Sequence, residues 1–250
     1  LHLTQIDTYL DYPSSLDNFQ LLPIYFAKEN QHRLHKFHWY WYQNKQFTPI
    51  VAVGSGYGAR SHFDGQDFLE SGMPKIDHDS GWLARAINIK QKKALSVSHS
   101  VPIALRSGQS VNTWYPSNLK ESKEDIYAQL MRLYQNEDEF LMKLEEGLST
   151  KEMASGGEQK KSKGKFKDLA TSCGRLLTDS EVDCAMLELG GWDTHNNQAS
   201  RLDRQLTELD EGLLALKESL GDTWDNTVVV IATEFGRTAK ENGTGGTDHG

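Results

Sequence analysis

The stretch that most limits what this chain can fold into runs from residue 184 to residue 232. Cys184-Ala185-Met186-Leu187-Glu188-Leu189 is a nearly continuous apolar run, the pattern of a strand covered on both faces. Residues 197–220 follow, with Leu202, Leu206, Leu209, Leu213, Leu216 and Leu220 recurring at alternating spacings of four and three. That is the stripe of an amphipathic helix, and Gly221 supplies its stop. Thr227-Val228-Val229-Val230-Ile231-Ala232 is a second apolar, β-branched run. Strand, long helix and strand make a βαβ unit, so the two strands are expected to be parallel. Both would then end on one side of the sheet, where α/β folds gather ligands. Asp193, His195 and Glu234 would share that edge.

Each group there has more than one role open to it. Asp193 and His195 lie two apart, so on an extended segment their side chains face the same way. Metal ligation is one role, and a turn whose Asp caps the following helix is the other. Glu234, in Thr233-Glu234-Phe235-Gly236-Arg237-Thr238, directly follows an apolar strand. Burial would raise its pKa unless a cation stood beside it, and that cation is either Arg237 or a metal. Asp248-His249 sits in a glycine-containing loop, as turn residues or as further ligands. Carboxylate and imidazole together suit a divalent metal, and such groups converging without one are costly.

Upstream, Phe47-Thr48-Pro49-Ile50-Val51-Ala52-Val53 reads as a short strand ending in the turn Gly54-Ser55-Gly56-Tyr57-Gly58. Arg60-Ser61-His62-Phe63-Asp64 then opens a helical stretch. Ser61 at the helix N-terminus is either a cap, with Asp64 in a capping-box position, or a hydroxyl poised where the helix field favours an alkoxide. Further on, residues 81–87 predict a helix. Residues 94–98 and 101–105 predict strand pieces. Residues 120–153 predict two helices broken near Asn136-Glu137-Asp138, and residues 166–177 another helix. The segment 154–165 is polar, basic and glycine-containing, which predicts a mobile insertion. Within residues 1–46, Leu16, Phe19, Leu21, Leu22 and Phe26 predict one helix face. His32, His35 and His38 lack an acidic partner and read as a solvated basic turn.

The 250 residues suffice for one α/β domain, and 37% hydrophobic with 25% charged residues is ordinary for a soluble protein. A net charge of −8 gives no reason to expect nucleic acid. Two cysteines make no disulfide framework and read as free thiols. No apolar run suggests a transmembrane segment. The start at Leu1 and the stop at Gly250, just after Asp248-His249, predict a fragment of a larger α/β domain.

Three blocks in this chain closely resemble the signatures of the domain-of-unknown-function 1501 family. They are Glu188-Leu189-Gly190-Gly191-Trp192-Asp193-Thr194-His195, Thr233-Glu234-Phe235-Gly236-Arg237-Thr238 and Gly246-Thr247-Asp248-His249-Gly250. Arg60-Ser61-His62-Phe63-Asp64-Gly65-Gln66-Asp67 looks like a fourth. That family is similar to the alkaline phosphatase and sulfatase superfamily. The resemblance implies a doubly wound, mostly parallel α/β sheet flanked by helices, a divalent metal site, and hydrolysis of a small anionic phosphate or sulfate ester. It implies Asp193, His195, Glu234, Asp248 and His249 as metal ligands and Ser61 as nucleophile. Arg60 or Arg237 would add a bidentate contact to the oxyanion. Zinc is the expected ion, with magnesium, manganese or calcium as alternatives. A periplasmic or exported location is implied too, because members commonly carry a twin-arginine signal. The family's early Gly-Gly-x-Asp-Gly block is absent from this chain. The competing expectation is an exported accessory protein that keeps the fold and the metal without turnover.

Overall fold

The computed structural model describes residues 41, 44–48, 50, 54–59, 61–116, 124–135, 137–155, 165–179 and 181–249. The helix face expected within residues 16–26, the histidines at 32, 35 and 38, most of the strand expected at 47–53, Arg60, and most of the insertion expected at 154–165 lie outside them.

In chain order the helices are α1 (His62–Ser71), α2 (Trp82–Lys90), α3 (Glu124–Leu133), α4 (Asp138–Ser155), α5 (Phe166–Asp179) and α6 (Gln198–Leu220). Strands β1 (Ala94–Ser96), β2 (Val111–Thr113) and β3 (Cys184–Met186) form a parallel sheet in the order β2-β1-β3. The chain is thus a mixed α/β structure with a small parallel sheet flanked by helices.

Period-two alternation decides which face of the sheet meets which helix. Leu95 stands in register with Asn112 on one side and Ala185 on the other. With Val97 it packs on Leu169, Ala170, Cys173 and Leu176 of α5 and on Leu216 and Leu220 of α6. Ala94 faces the opposite way, onto Ile87 of α2 and Leu105, with Cys184 and Met186 beside it.

Helix α1 begins at Ser61, whose hydroxyl accepts the Asp64 N–H at 3.2 Å, and ends on the left-handed Gly72. Buried Glu70 accepts from the Ala104 N–H at 3.0 Å and from the Gln66 amide at 2.7 Å. Arg85 of α2 donates to the Ser71 carbonyl at 2.7 Å. These bonds fix α1 against α2 and against a 3-10 turn at Ile103–Leu105.

That turn corrects the strand expected at 101–105. Pro102 has no N–H to give a ladder, and it initiates the turn instead. The strand beside β1 is Val111–Thr113, whose single large apolar residue gave little signal. The break expected near residue 136 is confirmed between α3 and α4.

A larger correction concerns residues 227–232. They follow a 3-10 turn, Gly221–Asn226, and belong to no ladder among the described residues. Val228 is 86% exposed, Val229 39%, Val230 74% and Ile231 37%, so the run is not a covered strand. Among the described residues the sheet ends at β3, and a β-branched run without a neighbouring strand has nothing to bury against. Among the described residues, no helix is long and apolar enough to cross a membrane.

Cys173 and Cys184 are free thiols, as expected. Burial, and then the nearby Cys184, push the Cys173 thiol up to about 12, so at pH 8 it holds almost no thiolate, the reactive form. A thiol-specific reagent at that pH should therefore leave Cys173 unmodified in the folded chain and label it in urea. Labelling of Cys173 at native conditions, read by peptide mass mapping, would contradict the packing described.

Candidate metal centre

The chain leaves β3 extended and reaches Asp193 through Gly190-Gly191-Trp192. The Trp192 indole N–H donates to the Leu189 carbonyl at 2.7 Å, and its ring packs with Leu209 and Leu213 of α6. Gly191 has φ of 92°, and a Cβ there would lie 2.5 Å from the Gln205 amide nitrogen of α6. The tight exit therefore needs glycine, and it leaves the Asp193 carboxyl turned outward, with 48% of its side chain exposed.

Beyond α6 and the exposed run, β4 (Arg237–Glu241) and β5 (Thr247–His249) form an antiparallel hairpin with Arg237 opposite His249. The hairpin is fastened to the segment carrying His195. The Asn242 amide and the Thr244 hydroxyl both donate to the His195 carbonyl, at 2.9 and 2.8 Å. The Gln198 N–H donates to the Gly245 carbonyl at 2.7 Å. A Cβ on Gly246 would sit 2.1 Å from the His195 carbonyl oxygen, so backbone meets backbone there.

Arg237 joins the two segments from within. Only 3% of its side chain is exposed. Nη1 donates to the Thr247 carbonyl at 2.6 Å, and Nη2 to the Trp192 carbonyl at 2.8 Å and, more distantly, to Asp193 Oδ1 at 3.5 Å. Burial lowers its pKa, while the charges of Asp193 and Asp248 oppose that fall.

Three imidazoles converge on the Asp193 carboxylate. His195 Nε2 lies 2.8 Å and His249 Nε2 3.0 Å from Oδ1, and His62 Nε2 lies 3.5 Å from Oδ2. Two further carboxylates stand behind them. Glu234 Oε1 is 3.2 Å from His62 Nδ1, and Asp248 Oδ1 is 3.5 Å from His195 Nδ1. Ligand atoms of His62, Asp193 and His249 all lie within 4.8 Å of one another.

Phe235 walls the cluster, edge-on to His62 at 4.8 Å between ring centroids and tilted against His249 at 4.6 Å. Burial pushes the Asp193 carboxyl upward, but the His249 hydrogen bond and the neighbouring His195 and His62 outweigh it and hold it below the usual range. Burial lowers the His249 pKa against the opposing pull of Asp193. A neutral imidazole is the form that ligates metal.

Of the residues picked out by sequence, Asp193, His195 and His249 meet directly, and Glu234 and Asp248 stand one imidazole further out. The route to this convergence differs from the one expected. A hairpin clamped by Arg237 brings in His249, and α1 brings in His62; no parallel strand at 227–232 is involved. Arg237 has both terminal nitrogens committed to carbonyls. Ser61 caps α1 one residue ahead of His62. Glu188 lies apart from the cluster: burial, and then the nearby Glu70 charge, push its carboxyl up.

His62 was missed. Its only signal was its place beside Ser61 in a block singled out for the hydroxyl.

Replacing Arg237 by Met should remove two charge-assisted hydrogen bonds, each worth about 1.5–3 kcal/mol, and so destabilise the chain by about 3 kcal/mol or more. Gly246→Ala, which forces a methyl into the His195 backbone, should cost about 1–3 kcal/mol. Urea denaturation reads both. An unchanged midpoint for Arg237→Met would show that the clamp contributes nothing.

A family model described as "Protein of unknown function (DUF1501)" matches residues 53–250. No match was found among curated proteins or among solved structures. The matched span contains α1, the strand exit and the hairpin that together build the cluster, and on that match the chain belongs to the DUF1501 family.

Proposed function

We propose that this chain is a metal-dependent hydrolase of small phosphate or sulfate esters, built on a doubly wound sheet of the alkaline phosphatase and sulfatase type and working in the periplasm or outside the cell. The observation that supports the reading is the gathering of three imidazoles around one partly exposed carboxylate, from three separate segments of the chain. The donor set fits a divalent ion: imidazole and carboxylate are ordinary zinc ligands, and outer carboxylates on their far nitrogens are common supports. Asp193, His249 and their neighbours would hold the ion, which supplies a Lewis acid and a lowered pKa for an oxygen nucleophile. It would also answer the net charge of −8, which by itself repels an anionic ester.

Ser61 is the nucleophile of this reading. Its oxygen accepts the Asp64 N–H at the start of α1. The amides at the start of α1 favour the negative charge that then develops on the oxygen. Arg237 serves by holding Asp193 and the hairpin in place, its terminal donors being occupied by carbonyls.

Purified chain loaded with zinc should hydrolyse p-nitrophenyl phosphate or p-nitrophenyl sulfate, lose that turnover with a chelator and regain it with zinc. Ser61→Ala should lower kcat by about a hundredfold or more, as loss of a covalent nucleophile does. Metal-loaded chain that turns over neither ester would sink the hydrolase reading and favour an exported accessory protein. Intact turnover in Ser61→Ala would remove only the serine from the mechanism.

A further inference from the structure

Glu234 and His62 occupy places that point to a division of labour different from the one the family resemblance implies. Glu234 contacts Nδ1 of the His62 ring at 3.2 Å, whereas Asp193 faces Nε2 of the same ring at 3.5 Å. Those nitrogens lie on different edges of an imidazole, so the ring stands between the two carboxylates. A carboxylate accepting from Nδ1–H fixes the tautomer whose free lone pair is on Nε2. That lone pair looks onto one Asp193 oxygen, and His249 Nε2 lies 3.0 Å from the other.

We propose that His62, Asp193 and His249 hold one divalent ion of the zinc class, and that Glu234 is a positioning residue for His62, with no bond of its own to the ion. The inference rests on the metal reading above but not on hydrolysis. Two imidazoles and one carboxylate leave a coordination position open, the arrangement of catalytic zinc sites. The same set suits calcium or magnesium poorly, since both prefer shells made of oxygen. The ligands come from the first turn of α1, the strand exit and β5, so binding would tie three segments distant in sequence. Phe235, packed against His62 and His249, keeps one side of the ion dry.

The test is metal binding by the whole chain after chelator stripping, with zinc affinity measured by competition and cobalt(II) used as an absorption probe. Wild-type chain should bind one zinc per molecule far more tightly than calcium or magnesium. His62→Gln and His249→Gln should each weaken zinc by more than about a hundredfold and alter the cobalt spectrum. Glu234→Gln should weaken zinc by roughly tenfold to a hundredfold, as loss of an outer carboxylate does, and leave the cobalt band in place.

Wild-type zinc affinity in His62→Gln would overturn the inference. So would a cobalt spectrum in Glu234→Gln changed as much as in His249→Gln, because Glu234 would then be a ligand. The Glu234→Gln comparison decides the matter even if His62→Gln does not fold. Tight zinc binding with this pattern and no ester turnover would sustain the inference while ending the hydrolase reading. Turnover with zinc affinity indifferent to His62 would do the reverse.

Discussion

The buried guanidinium of Arg237 is the interaction on which the candidate centre depends. Placing such a charge where only 3% of it meets solvent is costly unless its donors are satisfied; two carbonyls take up the terminal nitrogens here, while Nε has no hydrogen-bond partner among the described residues. One belongs to Trp192, at the exit from β3, and the other to Thr247, in β5. Helix α6 separates these segments in the chain, yet the guanidinium holds them a few ångströms apart. Asp193 and His249, each next to or near a clamped residue, meet as a consequence at 3.0 Å. The carboxylate is the weaker of the partners of Arg237, at 3.5 Å, which leaves it available to the imidazoles.

Trp192 anchors the same arrangement from the apolar side. Its ring lies with Leu209 and Leu213, so the leucine stripe of α6 reaches from the helix to the residue adjoining Asp193. The hydrophobic core and the polar centre are thus joined through one dipeptide, Trp192-Asp193. Helix α1 supplies the third segment, held against α2 and the 3-10 turn by Glu70 and Arg85. None of these supports is itself a candidate ligand.

The helices were legible in the sequence because their signal is local. The leucine spacing of α6, the break between α3 and α4 and the cap at Ser61 all appear as expected. Strands are less legible, because an apolar run reports a tendency to be covered and not which neighbour covers it. Residues 94–96 and 184–186 had that neighbour in each other; residues 228–231 have none among the described residues and stand exposed. β2 illustrates the converse, since Val111-Asn112-Thr113 has little apolar character and takes its place through pairing with β1. At the centre, residue types suggested Asp193, His195, Glu234, Asp248 and His249, and the structure gathers them. Their order outward from Asp193 depends on ring orientation, which sequence spacing does not encode. His62 was hidden for the same reason, as a helix residue whose partner lies 172 positions away.

The charge arrangement gives the cluster a chemical direction. Three imidazoles surround one carboxylate, and two more carboxylates lie on the far nitrogens of His62 and His195. Outer acids of this kind orient the rings they contact. The inward face gathers imidazole nitrogens and carboxylate oxygens, the donor types a divalent cation takes. An anion entering alone would meet Asp193 and the outer acids and be repelled; a cation bound first would reverse the local field. Under the proposed hydrolase reading, an anionic ester would bind after the ion, so the affinity of the centre for metal and its affinity for ester would be linked.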